Sequence, residues 1–129
     1  FSFPTFVHHS SVYSESATLQ DGVIIAPQCV VSPNVKIGKL TYINFCCGIG
    51  HDAIVGDFVQ INSGSQIGGD SKIGDQVLIG SNSVVLQGIS IGDGATVASG
   101  AVIFSRISEG VTIIGNPGKR MSAFDKNLK

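Results

Sequence analysis

The chain has 129 residues and a formal net charge of −1 at pH 7, with 13% charged residues against roughly 25% in an ordinary domain. That length gives room for one domain with a modest core, and the near-neutral balance offers no global attraction to nucleic acid. No apolar run approaches the ~20 residues of a membrane span, and no basic stretch followed by an apolar one reads as a secretory leader.

The first six residues carry three aromatics, Phe1, Phe3 and Phe6, ahead of any regular pattern, and there is no initiator methionine. From Val7 to Ile103 every sixth residue is aliphatic, with Tyr13 the one departure in seventeen positions. A helix repeats near 3.6 residues and a strand at 2, whereas a fixed period of six belongs to hexapeptide β-helices. A longer period lies inside the first: Ile37-Gly38-Lys39, Val55-Gly56-Asp57, Ile73-Gly74-Asp75 and Ile91-Gly92-Asp93 recur every eighteen residues. Three hexads therefore make one turn of a three-sided prism, with residue n beneath n+18 at about the 4.8 Å inter-strand spacing.

The residue two positions before each aliphatic one is usually small or Val, as at Thr41, Cys47, Ala53, Val59, Ser65 and Ser71, and period-2 alternation points it inward as well. The frequent glycine one position after the aliphatic residue is expected to relieve the corner. An open coil is an exposed sheet edge, so repeat arrays need covered ends, and residues 1–6 are read as an entry segment before a prism spanning 7–108.

The outward residues sort by face. Thr18, Lys36, Ile54, Lys72 and Ser90 make one mostly polar face; Phe6, Ile24, Tyr42, Gln60, Leu78, Thr96 and Val12, Val30, Gly48, Gln66, Val84, Val102 make two more apolar ones. Two apolar faces of three suit a subunit in a closed ring, in which each copy meets two neighbours.

His51 falls in the turn between an apolar face and the polar one. An imidazole suits general-base work near neutral pH, but a polar turn histidine is the plainer reading of spacing alone. Gly69, after Gly68, lies one coil above it, and Asn44 precedes it on a neighbouring strand. Asp57, Asp75 and Asp93 stack in one column as like charges and are read as exposed turn residues. His8 and His9 lie at the first coil and read as structural. Cys29, Cys46 and Cys47 are odd in number, have no metal-ligand spacing and read as free thiols of a reducing, cytoplasmic setting. After Ile103 the pattern changes: residues 109–129 are read as a C-terminal strand, expected at Val111–Ile114, and a basic tail that includes Lys119, Arg120, Lys126 and Lys129.

The repeat [Leu/Ile/Val]-Gly-x-x-[small]-x resembles the hexapeptide acyltransferases, and the run Asn44–Phe58 with the ending Gly115–Arg120 is similar to their sugar branch, the sialic-acid O-acetyltransferases and UDP-amino-sugar N-acetyltransferases. The resemblance implies an all-β, left-handed parallel β-helix of about six eighteen-residue coils with a short C-terminal extension, working as a homotrimer. It implies acetyl-CoA as co-substrate, no metal, and as acceptor the amino group of a nucleotide-linked sugar. It further implies that a nucleotide-sugar-binding domain precedes this segment. By the same resemblance His51 is the general base, Asp52 its acidic partner, Gly69 the oxyanion donor, and Asn44 and Gln60 acetyl-site residues, with Gln60 standing where the family commonly has a second histidine. Coenzyme A would run along Gly68, Gly80, Ala98 and Gly100 to Pro117, Lys119 and Arg120, with Gly118 replacing the family's alanine. A sialic-acid O-acetyltransferase and a non-catalytic β-helix scaffold are the other readings. A zinc carbonic anhydrase on the same prism needs three converging histidines and fails on ligand count.

Overall fold

The structure, a computed structural model, describes residues 2–124, so Lys126 and Lys129 lie outside the described residues. Two-residue strands alternate with four-residue corners and wind into a three-walled prism whose coils match a left-handed β-helix. Pairing is parallel with an offset of eighteen, as in Ile43 on Ile61, Ile49 on Ile67 and Val55 on Ile73. The first wall runs from Phe6–Val7 through Tyr42–Ile43 and Gln60–Ile61 to Thr96–Val97, the second from Val12–Tyr13 through Gly48–Ile49 to Val102–Ile103, and the third from Thr18–Leu19 through Ile54–Val55 to Ser90–Ile91.

From Ile25 to Ile103 the aliphatic series fills the interior, each member no more than 3% exposed. Burying each such side chain contributes roughly 1.5 to 3 kcal/mol, so the columns rather than any corner hold the coils together. The small inward residues do a further job. The hydroxyls of Ser11, Ser65 and Ser83 donate to the carbonyls of Ala26, Gly80 and Ala98, and the thiols of Cys29 and Cys47 donate to those of Asn44 and Asn62 in the same way. Each rung gives a corner carbonyl a partner inside the prism, and Ala98 O also accepts the N–H of Ala101.

The corners turn differently from the sequence expectation. The left-handed residue is the third after each aliphatic position, not the first, and it recurs without a gap from Gly22 to Gly100. Nine of these residues are not glycine, among them Leu40, Cys46, Asp52, Phe58 and Asp70. The glycine directly after the aliphatic residue serves close approach instead: a Cβ on Gly38, Gly56 or Gly74 would strike the carboxylate of Asp57, Asp75 or Asp93 in the coil above. Those carboxylates are not merely solvated turn groups. Asp57, Asp75 and Asp93 each accept a backbone N–H from the coil below, from Lys39, Asp57 and Asp75, at 2.7–2.8 Å. The like charges are tolerated because each one is held by an amide dipole.

At the upper end the step from Ile103 to Ile107 is two residues short, yet Ile107 bridges to Ile91 and Thr112–Ile114 extends the first wall beside Thr96–Val97. The chain then reverses through a cis Asn116–Pro117 bond, and Lys119–Arg120 pairs antiparallel with Ile113–Ile114. Gly118 packs so tightly that a Cβ would lie 2.8 Å from both Val102 O and Ile113 Cγ2, which accounts for the absence of alanine there. At the lower end Phe3 O accepts Gly22 N–H and the Thr5 hydroxyl donates to Gln20 O, tying the entry segment to the first coil.

Candidate active site

His51 stands at the corner between the second and third walls, 54% exposed, immediately before Asp52 in the left-handed region at φ 62°. That backbone reversal turns both side chains outward. His51 Nδ1 lies 3.0 Å from Asp52 Oδ2. With the carboxylate ionised, Nδ1–H donates to it, which leaves Nε2 with a free lone pair.

Nε2 is held over Gly69. A Cβ built on Gly69 would sit 2.6 Å from Nε2 and 2.9 Å from two ring carbons, so the imidazole occupies the space a side chain would need. Gly69 is buried, and among the described residues its N–H donates to no acceptor. In the corner between the third and first walls the equivalent amides of Lys39, Asp57 and Asp75 are all capped by carboxylates. A donor left uncapped beside an imidazole with a free lone pair is an arrangement that can receive a developing oxyanion and a proton together.

Asp70 was not picked out in the sequence. It stands eighteen residues after Asp52, at φ 59°, and its N–H donates to His51 O at 2.8 Å. One ring nitrogen of His51 and one carboxylate oxygen each of Asp52 and Asp70 lie within 4.8 Å of one another. The eighteen-residue register was the signal that would have found it.

The other expected residues sit elsewhere. Gly68 belongs to the same corner, its Cα close under Gln87, where a Cβ would lie 2.6 Å from Gln87 N. Asn44 lies at the corner between the first and second walls, where Oδ1 accepts Phe45 N–H at 2.8 Å and the Tyr42 hydroxyl at 3.2 Å. Gln60 projects from the first wall and donates from Nε2 to Asn62 Oδ1 at 3.1 Å. Gly80 and Ala98 continue the Asn44 column, Gly100 follows in the same corner, and Pro117, Lys119 and Arg120 lie in the reversal above it. One protomer therefore brings together His51, Asp52, Gly68 and Gly69, and holds the remaining candidates a full wall away. Of the cysteines, Cys46 is exposed while Cys29 and Cys47 are buried. The Cys29 sulfur beside it, together with burial, pushes the Cys47 thiol well above the ordinary range, which makes it unreactive.

The sequence model of the bacterial transferase hexapeptide (six repeats) family matches residues 52–87, and that of the hexapeptide repeat of succinyl-transferase matches residues 72–105. Both are models of hexapeptide repeats, and together they match residues 52–105 of this chain. Among solved structures, the acetyltransferase domain of PglB from Neisseria gonorrhoeae FA1090 is 30% identical with a TM-score of 0.91 over 94% of this chain and 59% of that one. WeeI from Acinetobacter baumannii AYE is 29% identical with a TM-score of 0.87 over 89% and 57%. A GDP-perosamine N-acetyl transferase from Caulobacter crescentus, solved with CoA and GDP-perosamine, shares the fold at 24% identity and a TM-score of 0.59, over 94% and 58%. This hexapeptide-repeat chain thus spans less than three fifths of the length of these structures. No curated protein matches the sequence. Among the described residues no helix is long and apolar enough to cross a membrane.

Proposed function

We propose that this chain transfers acetyl from acetyl-CoA to the amino group of a nucleotide-linked sugar, with His51 as general base. The observation that carries the reading is the corner geometry: Nε2 over Gly69, Nδ1 on Asp52 at 3.0 Å, and an uncapped Gly69 N–H alongside. The thioester oxygen takes the Gly69 amide, which stabilises its charge as the acceptor nitrogen adds to the carbonyl carbon. Nε2 then removes a proton from that nitrogen, the C–S bond breaks, and the departing thiolate recovers the proton from the imidazolium as free coenzyme A. Asp52 fixes the tautomer and offsets the transient cation. The likeness to an acetyltransferase domain at 30% identity supports the chemistry. The sugar acceptor rests on the resemblance of Asn44–Phe58 and Gly115–Arg120 to the sugar branch.

A homotrimer completes the reading. Phe6, Val12 and Val30 on the first and second walls are 57%, 65% and 52% exposed, too much apolar surface to leave in water, whereas Lys36 and Lys72 mark the third wall as solvated. The base stands one wall away from Gly80, Ala98, Gly100, Pro117, Lys119 and Arg120, so a cleft with both a base and a coenzyme groove draws on two copies. Three free cysteines fit a reducing cytoplasm.

The test is release of free thiol from acetyl-CoA with a panel of nucleotide-linked amino sugars. Turnover that falls by about 10²- to 10⁴-fold in His51→Ala is the expected result. Equal turnover in the variant removes His51 as base, and no turnover with any acceptor favours a scaffold.

A further inference from the structure

We infer that Asp70 makes this site prefer an amine over a hydroxyl acceptor. The inference rests on the acetyltransferase reading and adds to it a residue that decides which nucleophile is used.

In the outward column that turns the corner between the second and third walls, the residues in successive coils are Ser16, Asn34, Asp52, Asp70 and Gly88. Carboxylates occur only in the coil of His51 and the coil of Gly69, the two coils that would hold the reacting atoms. The Asp70 carboxylate stands within 4.8 Å of a His51 ring nitrogen and of an Asp52 oxygen. Asp52 is engaged by Nδ1. Asp70 has no ion-pair partner of its own among the described residues, and its side chain is exposed at the mouth of the corner. Its backbone, by contrast, is fixed, because its N–H donates to His51 O at 2.8 Å. The carboxylate is thus anchored to the same peptide that carries the imidazole.

The two acceptor types differ in charge as they react. When an amine adds to a thioester carbonyl, the C–N bond forms before a proton leaves, so the nitrogen carries positive charge while the oxygen carries negative charge. The proton then passes to His51 Nε2, the C–S bond breaks, and the thiolate takes that proton as coenzyme A thiol. A hydroxyl gives up its proton to Nε2 while it attacks and never develops a comparable cation. A carboxylate beside the attacking atom therefore stabilises the amine's transition state more than the hydroxyl's, which is the differential that alters rate. Two unit charges about 4 Å apart in water interact by ~1 kcal/mol, roughly a fivefold effect, and by more once a cleft excludes solvent.

The experiment compares kcat/KM for a nucleotide-linked amino sugar and for the same sugar with a hydroxyl at that carbon, in the full chain and in Asp70→Asn and Asp70→Glu. The expected result is an amine-to-hydroxyl ratio at least about fivefold lower in Asp70→Asn and partly restored in Asp70→Glu. A ratio that stays unchanged while both acceptors lose rate together makes Asp70 merely structural and overturns the inference alone. No transfer to either acceptor by the unsubstituted protein overturns the acetyltransferase reading, and this inference with it.

Discussion

Two corners of the same prism share one backbone path and use it differently. Between the third and first walls, the amides of Lys39, Asp57 and Asp75 each donate to a carboxylate of the next coil, and the glycines beside them leave room for those carboxylates. Between the second and third walls, the same positions hold His51 and Gly69, the amide of Gly69 is left without an acceptor, and the space above the glycine is filled by an imidazole. The first corner is satisfied and inert. The second leaves a donor unpaired, an arrangement that a fold keeps where something else is to fill it. What sets Gly69 apart is that its uncapped amide is buried and has an imidazole packed against it.

Swapping glycine for alanine at matched places separates the two corners most strongly. Gly69→Ala forces the imidazole off its seat and is expected to lower turnover by about 10²-fold, the penalty for a base displaced by about 1 Å, with thermal stability little changed. Gly74→Ala instead drives a methyl group into the Asp93 carboxylate, so it should lower the melting temperature and leave turnover per folded molecule intact. Thiol release and a melting curve on both variants check this; equal turnover loss in the two would erase the distinction.

A smaller effect follows from the caps themselves. Asp75→Ala removes the acceptor of Asp57 N–H and should destabilise the prism by ~1 kcal/mol, read as a lower denaturant midpoint at unchanged slope, with unchanged kcat/KM. A loss of activity here would mean that the inert corner takes part in the chemistry.

The walls were legible in the sequence because the core is the repeat: an aliphatic residue that must be buried every sixth position leaves no other period. The eighteen-residue recurrence of Ile-Gly-Asp gave the register that pairs Val55 with Ile73 and Ile73 with Ile91. The corners were less legible. Gly38 and Gly56 were expected to supply backbone freedom, but the strained positions are Leu40 and Phe58, two residues later, where the chain accepts a left-handed φ in residues that disfavour it. Asp57, Asp75 and Asp93 looked mutually repulsive because composition shows the charges and not the amides pointing at them. His51 with Asp52 could be named through the resemblance to the sugar branch, spacing alone favouring a plain turn histidine, whereas Asp70 needed the coil offset. The separation of Asn44 and Gln60 from His51 reflects which wall each residue leaves from, and a one-dimensional motif does not carry that.

The central claim, that the uncapped corner is where acetyl transfer happens, is tested most directly by a crystal structure with coenzyme A and a nucleotide-linked amino sugar. The account predicts the thiol sulfur beside Gly69 N–H and the sugar nitrogen within hydrogen-bond reach of His51 Nε2, with a second copy of the chain closing the cleft. A sulfur seated at the Asp57–Asp93 corner, or a sugar nitrogen remote from His51, would contradict it.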